Sequence, residues 1–182
     1  MNTKNITIKD STFDQNLASV LSKNIFVGFS NISIDSCFFS DSLIPKDYAK
    51  SLQTQGSFIH LIMGVEMIIT DSTFMNGYSS MGGAIFISGS STLNIKRSQF
   101  LNNYASNSGG AMYFRGFKQV KISEQTKFKG NQAKVSGGDI CAIESERNMT
   151  LQDVTIENMQ SLNSINMESM QFLAKRLSIK SM

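Results

Sequence analysis

The sequence predicts an all-β protein that folds as a right-handed, single-stranded parallel β-helix of about six turns, with about 27 residues in each turn. Three features predict it: a D-S-x-F phrase that recurs along the chain, a Gly-Gly pair that recurs with the same period, and short segments of alternating apolar residues beside both markers. The chain has 182 residues, of which 41% are hydrophobic, and this is enough to bury a core.

The first marker is a phenylalanine that closes the D-S-x-F phrase or a variant of it. It recurs at spacings of 25, 36, 26, 28 and 28 residues, where Ile156 stands in for the last phenylalanine. An alternating apolar pair precedes each copy, as Ile6 and Ile8 precede Phe13, and a period of two predicts a strand. The predicted core stack consists of Phe13, Phe38, Phe74, Phe100 and Phe128.

The second marker, the glycine pair, precedes another apolar segment and repeats after 27 and 28 residues. A repeat of this length has no room for a crossover helix, so its strands must stack in parallel turns about 4.8 Å apart, and parallel crossovers favour a right-handed coil. Glycine suits a sharp corner that needs positive φ or close approach between turns. The predicted corner residues are Gly82, Gly83, Gly109, Gly110, Gly137 and Gly138.

Asparagines follow the phenylalanines at a fixed distance. Asn16, Asn103 and Asn131 lie three residues after their phenylalanine, Asp41 occupies the same slot, and Asn76 comes one residue earlier. Side-chain amides in equivalent positions of successive turns can bond along the stack and to turn backbone. We therefore expect an asparagine ladder.

The combination of F-x-x-N (Phe100 to Asn103, Phe128 to Asn131, Phe13 to Asn16) with GGA-[IM] at 82–85 and 109–112 resembles the repeats of chlamydial polymorphic membrane proteins. Similar pectin-lyase-like repeats occur in large surface proteins of protists. The resemblance covers roughly residues 5 to 160. It implies a right-handed β-helix in a surface-exposed or adhesive protein.

Residues 1–182 are predicted to form one β-helix module, a segment of a longer chain, because Leu177 to Met182 match the opening of a new turn. Turn two carries an insertion at 42–55, in which Pro45 could begin about two helical turns. Near the end, the apolar spacing of Met167, Met170 and Leu173 fits a short cap helix over 167–177 as well as a strand.

Enzymes also use this fold, so stacked acids and bases are candidates for chemistry. The slot three residues before the phenylalanine holds Asp10, Asp35, Asp71 and Arg97 in successive turns, followed by Gln125 and Asp153. Such a column could bind Ca²⁺ or act as acid and base on a uronic acid, yet aspartate before Ser-x-Phe is also a common turn residue. The prediction is that no residue is catalytic, with a polysaccharide lyase or hydrolase as the alternative.

No cofactor or metal site is predicted. His60 is the sole histidine, has no ligand at zinc spacing, and is expected to face out from a strand. Cys37 and Cys141 fall in turns two and five, on the order of 14 Å apart along the axis, too far for a disulfide.

Three sequons, at Asn5, Asn31 and Asn148, occupy one slot before the first strand of a turn, and they are candidate glycosylation sites. The net charge of +3 is too small and dispersed for nucleic-acid binding. The most apolar window, Phe58 to Ile69, spans only about a dozen residues, too few for direct membrane insertion.

These features favour a noncatalytic structural or adhesive module of an extracellular or cell-surface protein. Its expected partners are other subunits, or further turns of the same chain, at the open ends of the solenoid, and glycans. The alternative to a surface location is an intracellular filament scaffold.

Overall fold

The computed structural model of the protein describes residues 4–16, 24–41, 55–143, 148–158, 165–167 and 171–181. These residues form a parallel β-solenoid of about five turns, with about 27 residues in each turn and no helix. The predicted all-β fold class is therefore confirmed. Residues 42–54 of the predicted insertion lie outside the described residues. Within the described part of the chain, no helix is long and apolar enough to cross a membrane.

Most strands have three to five residues, whereas β19 and β21 have eleven residues each. In the first half of the chain they are β1 (Asn5–Lys9), β2 (Thr12–Asp14), β3 (Ile25–Gly28), β4 (Asn31–Asp35), β5 (Phe38–Ser40), β6 (Ile59–Ile62), β7 (Glu66–Thr70), β8 (Thr73–Met75), β9 (Tyr78–Met81), β10 (Ile85–Ser88) and β11 (Thr92–Lys96). In the second half they are β12 (Gln99–Leu101), β13 (Tyr104–Ser108), β14 (Met112–Arg115), β15 (Gln119–Ser123), β16 (Lys127–Lys129), β17 (Gln132–Ala133), β18 (Ile140–Ile143), β19 (Asn148–Asn158), β20 (Ile165–Met167) and β21 (Gln171–Ser181).

Each turn contributes a strand to each of several parallel stacks. The first stack runs β1-β4-β7-β11-β15-β19, and the second, across a bend, runs β2-β5-β8-β12-β16-β19. These two join into one sheet because β19 continues through the bend. A six-stranded sheet, β3-β6-β10-β14-β18-β20, and a short one, β9-β13-β17, close the coil.

The interior contains a column of stacked phenylalanine rings among aliphatic side chains, and one member of this column differs from the prediction. Phe39, not Phe38, pairs in register with Phe13 and Phe74, and Phe38 is 38% exposed. The rings of Phe39 and Phe74 stack with centroids 4.7 Å apart and planes within 7°. The column continues through Phe100 and Phe128 at 4.9 and 5.0 Å. The prediction for Phe38 is wrong because Phe38 and Phe39 are adjacent, so alternation along the strand turns Phe38 outward.

The corner glycines serve two purposes. Gly82, Gly109 and Gly137 have φ of 66°, 70° and 61°, the left-handed region that glycine enters without steric cost. The second glycine of each pair lies where turns approach most closely. A Cβ on Gly83 would overlap the carbonyl oxygen of Gly110, and a Cβ on Gly110 would overlap that of Gly138.

The alternative of a cap helix over 167–177 does not hold for the described residues of that range, because Met167 ends β20 and residues 171–177 lie in β21, while residues 168–170 lie outside the described residues. Residues 171–181 form β21, which pairs in parallel with β19 at ten positions, from Asn148 with Gln171 to Asn158 with Ser181. The edge of β19 supplies backbone hydrogen bonds along this whole length, and this outweighs an apolar spacing that suits a helix equally well.

Candidate functional site

Buried asparagines form a ladder beside the aromatic column. Asn131 Oδ1 accepts hydrogen bonds from the backbone N and the Nδ2 of Asn103, both at 2.9 Å, and Asn103 Oδ1 accepts one from Gly77 N at 2.9 Å. The Nδ2 of Asn131 donates to Phe100 O at 2.9 Å and to Asp139 Oδ1 at 2.8 Å. Both asparagines are almost fully buried.

Asn16 and Asp41 do not join this ladder. Asn16 is exposed in the first turn. Asp41 lies two residues after Phe39, so it shares a column with Asn76, whose Nδ2 donates to Asp41 Oδ1 at 2.7 Å. Asp41, Asn76 and Asn102 all have positive φ, near 50°, which asparagine and aspartate tolerate better than most residues. The structure thus has two polar columns where the sequence predicted one.

A third ladder, of hydroxyl groups, was not predicted. Ser72 and Ser98, from the D-S-x-F phrase, are buried, and each donates from Oγ to the carbonyl two residues earlier, at 2.7 and 2.8 Å. Ser98 Oγ accepts a hydrogen bond from Ser72 N at 3.2 Å. In the next turn, Thr126 Oγ1 accepts one from Ser98 N at 3.5 Å. The recurrence of serine immediately before x-Phe was the signal that could have revealed it.

Cys37 occupies the hydroxyl column in turn two. Its N donates to Ser72 Oγ at 3.0 Å, and its Sγ lies 3.2 Å from Asp35 O, as a serine Oγ would. Cys37 and Cys141 are both buried, and they do not form a disulfide with each other. Cys37 is therefore a structural replacement for serine in this column.

The aspartate column differs from the prediction in turn two. Asp35 pairs in register with Lys9 and Thr70, so Ser36, not Asp35, stands level with Asp10 and Asp71. The cause is again the Phe38–Phe39 doublet, which displaced the alignment by one residue. Three adjacent carboxylates are consequently not stacked, and Asp71 lies between Ser36 and Arg97.

Arg97 forms an ion-pair network with the turns on either side. Its Nε and Nη2 donate to Asp71 Oδ1 and Oδ2 at 2.8 and 2.9 Å, and its Nη1 donates to Glu124 Oε2. Lys96 Nζ lies 2.8 Å from the other oxygen of Glu124. The hydrogen bonds from Arg97 lower the pKa of Asp71, and the bond from Lys96 lowers that of Glu124, so both carboxylates stay ionised.

Asp35 is engaged in a separate set of contacts on the same outer surface. Thr70 Oγ1 donates to Asp35 Oδ1 at 2.8 Å, and Lys9 Nζ lies 3.4 Å from Oδ2. The hydrogen bond from Thr70 is the main cause of a lowered pKa for Asp35. Further along the solenoid, a shallow depression is lined by Arg97, Glu124, Gln125 and Asp153.

His60 lies on the outer side of its strand, as predicted, but it is only 3% exposed. Its neighbours in the strand, Ile59 and Leu61, point into the core, whereas its ring meets Phe26 and Phe86 edge-on at 5.1 and 4.7 Å. Nδ1 of His60 is buried with no hydrogen-bond partner among the described residues. Burial lowers the pKa of His60 to about 4, which keeps the imidazole neutral at physiological pH.

The three sequons share one outer edge of the first stack. Asn5 and Asn31 are register partners, and Asn148 begins β19 in the same position. Asn5 and Asn148 are exposed, and Asn31 is half-buried. Glycosylation of these residues stays a prediction.

Among the described residues, no group of three histidine, cysteine, aspartate or glutamate side chains is arranged to hold a metal ion. Searches of family models, curated proteins and solved structures find no match for this chain.

Proposed function

We propose that this chain is a noncatalytic structural module of a surface or extracellular protein, a stiff spacer whose outer face contacts protein or glycan. The observation that carries the proposal is the pairing around Arg97. The acids best suited to acid–base chemistry on this surface are Asp71 and Glu124, and Arg97, in the turn between them, forms an ion pair with each. Their charges link neighbouring turns.

The interior supports a stiff element. Aromatic, amide and hydroxyl groups each bond or stack with the same group one turn away, so bending the solenoid would disturb several columns at once. Close-packed interiors resist such deformation. The resemblance to repeats of surface proteins supports an extracellular or cell-surface location.

An exposed apolar pair supports the contact role. Phe29 and Met63 occupy equivalent corners of successive turns, where Phe29 N donates to Met63 O at 3.3 Å. Their side chains are 70% and 57% exposed, and their φ angles are 57° and 52°. A bulky side chain with positive φ is strained and is more often found at functional positions. We assign this pair as an apolar contact point of the module.

Binding of the folded chain to a glycan panel and to immobilised cell-surface proteins tests the proposal. A Phe29→Ser, Met63→Ser variant should lose binding, while Ile68→Ser, which replaces an exposed apolar residue on a strand, should retain it. Equal binding by both variants, or binding by neither the parent nor the variants, would contradict the assignment.

The enzyme alternative has its own test. Incubation with polygalacturonate and alginate, followed by ultraviolet absorbance for unsaturated products and a reducing-end assay, should give no turnover. Turnover that disappears in Asp71→Asn and Arg97→Gln, with unchanged thermal unfolding, would replace the structural proposal by a lyase or hydrolase.

A further inference from the structure

The outer surface of the short sheet, β9-β13-β17, carries a pair of stacked tyrosines. Tyr78 and Tyr104 are register partners in this sheet, and their ring centroids lie 4.9 Å apart with the planes within 16°. The next residues along the two strands, Ser79 and Ala105, are buried, so alternation places the tyrosines on the outer side, where they are half-buried. The short sheet therefore presents an aromatic surface to solvent.

One face of the Tyr104 ring is not covered by another ring. Tyr78 covers the face toward turn three, and the register partner of Tyr104 on the other side is Gln132, whose side chain is exposed. Within the described residues, the ring of Tyr104 stacks on Tyr78 alone. The aromatic stack thus ends at Tyr104, and the surface continues with an amide that can donate and accept hydrogen bonds.

A second outer column lies beside the tyrosines and ends in a lysine. Two residues further along the chain from each member of the first column, on the same side of the sheet, lie Ser80, Ser106 and Lys134. Lys134 N donates to Ala105 O at 3.1 Å, and this holds the lysine backbone beside β13. The Lys134 side chain is exposed, and it forms no ion pair with the residues that the structure describes. Its ammonium group can therefore pair with an anionic group of a ligand.

The asparagine ladder holds the backbone that carries this surface. Tyr104 and Gln132 directly follow Asn103 and Asn131, which are both buried. Tyr104 N donates to Gly77 O at 2.8 Å, and Gln132 N donates to Asn103 O at 2.9 Å. A surface that is already ordered before its ligand arrives loses less conformational entropy on binding.

We propose that Tyr104, Gln132 and Lys134 bind an acidic sugar residue of a glycan. One side of a pyranose ring presents C–H bonds with partial positive charge, and these pack against the electron-rich face of an aromatic ring. Gln132 bonds to sugar hydroxyl groups, and the Lys134 ammonium pairs with a carboxylate. This inference rests on the proposed contact role and deepens it, because it names a class of glycan and a site on a different sheet from Phe29 and Met63.

An NMR titration of the 182-residue chain with sialyllactose, and with lactose as its neutral counterpart, tests the proposal. Because the site offers one ring face and few polar groups, we expect a dissociation constant on the order of 1 mM for sialyllactose. The ring resonances of Tyr104 should shift, and lactose should bind about fivefold more weakly because it lacks the carboxylate. Such binding is too weak to survive the washing of a glycan panel, so the titration reports on this site alone.

Matched variants identify the residues responsible. Tyr104→Ala should weaken sialyllactose binding by about tenfold, whereas Tyr104→Phe, which keeps the ring, should retain it. Lys134→Gln should remove the preference for sialyllactose over lactose, and Lys121→Gln, at a lysine of the first stack, should leave it unchanged. An absence of shifts at Tyr104 in the parent chain, equal binding of the two sugars, or unchanged affinity in folded Tyr104→Ala would overturn the proposal. The panel assay of Phe29 and Met63 is independent of these outcomes, so either proposal can fail without the other.

Discussion

A single oxygen atom, Oδ1 of Asn131, accepts two hydrogen bonds from Asn103 one turn away, from its backbone N and from its Nδ2, each 2.9 Å long. One side chain thus satisfies the buried backbone of the neighbouring turn and also orients that turn's asparagine. Asn103 is then positioned to accept from Gly77 N in the next turn. Each asparagine side chain in the ladder is therefore oriented by hydrogen bonds to the neighbouring turn, and it in turn fixes the backbone of the turn after that.

Asn131→Ala should lower the free energy of unfolding by about 2–4 kcal/mol, because it leaves buried partners on Asn103 and Phe100 unsatisfied, at about 1–3 kcal/mol for each unsatisfied group. Urea unfolding followed by circular dichroism measures the change. Asn16→Ala, at the exposed position predicted for the same ladder, is the control and should change stability by less than about 0.5 kcal/mol. Equal effects at the two positions would contradict the ladder.

The adjacent phenylalanines of turn two give a second matched comparison. Phe39→Ala removes a fully buried ring stacked between Phe13 and Phe74, and it should cost about 3–5 kcal/mol. Phe38→Ala removes a ring that is partly exposed, so its cost should stay near 1 kcal/mol or below, about the average for point mutations. Thermal unfolding of both variants under the same conditions measures the difference. A larger loss at Phe38 would restore the register predicted from the sequence.

The sequence predicted the solenoid well because its markers repeat with a shared period, and parallel stacking is the simplest way to use such a period. The prediction misplaced Phe38 and Asp35 because turn two has two adjacent phenylalanines after the D-S-x phrase, and the repeats were aligned on the first of them, Phe38. Aligning on the apolar pair would have succeeded, since Ile8, Ile34, Ile69 and Ile95 each lie five residues before a core phenylalanine. The serine of the hydroxyl ladder repeats in the sequence, but serine is common in turns because its hydroxyl bonds to nearby backbone, so its recurrence does not by itself predict burial.

The outer contacts were less predictable. A shift of one residue in the alignment of two turns changes which acidic side chain faces Arg97. Turn five has one residue more between Ile122 and Phe128 than the preceding turn has between Ile95 and Phe100. Glu124 and Gln125 both have positive φ there, and this brings Glu124 to Arg97. Burial of His60 depends on packing outside the strand, which alternation along the strand does not encode.

The second glycine of the corner pair should be intolerant of any side chain. A Cβ on Gly110 would overlap the carbonyl oxygen of Gly138 and crowd the backbone of Gln132. Gly110→Ala should therefore destabilise the fold by several kcal/mol or prevent soluble expression. In Gly64→Ala, the control, the added Cβ meets nothing within 4 Å, and only the positive φ of 70° costs about 1–2 kcal/mol. Similar melting temperatures for the two variants would contradict the close approach of turns at this corner.

The stability of the protein should fall between pH 6.5 and pH 5 because of His60. Its folded pKa of about 4 lies below the ordinary value of 6.5, so the folded state holds the imidazole neutral while the unfolded chain takes up a proton. The contribution is complete above pH 6.5 and is lost as the pH falls toward 4, at no more than about 1.4 kcal/mol for each pH unit. Asp71 and Glu124 have lowered pKa values, and their stabilising contributions are lost only at lower pH, below their ordinary values of 3.8 and 4.5.

Urea unfolding at pH 7, 6 and 5 measures this loss, and His60→Phe should abolish it, because phenylalanine suits the site between Phe26 and Phe86 and binds no proton. Since His60 is the sole histidine, its imidazole resonances can be followed in a proton NMR titration without interference. A titration midpoint near 6.5 would show that water reaches the ring. The packing of His60 between Phe26 and Phe86 would then be open to solvent, and the neutral, buried imidazole would be ruled out.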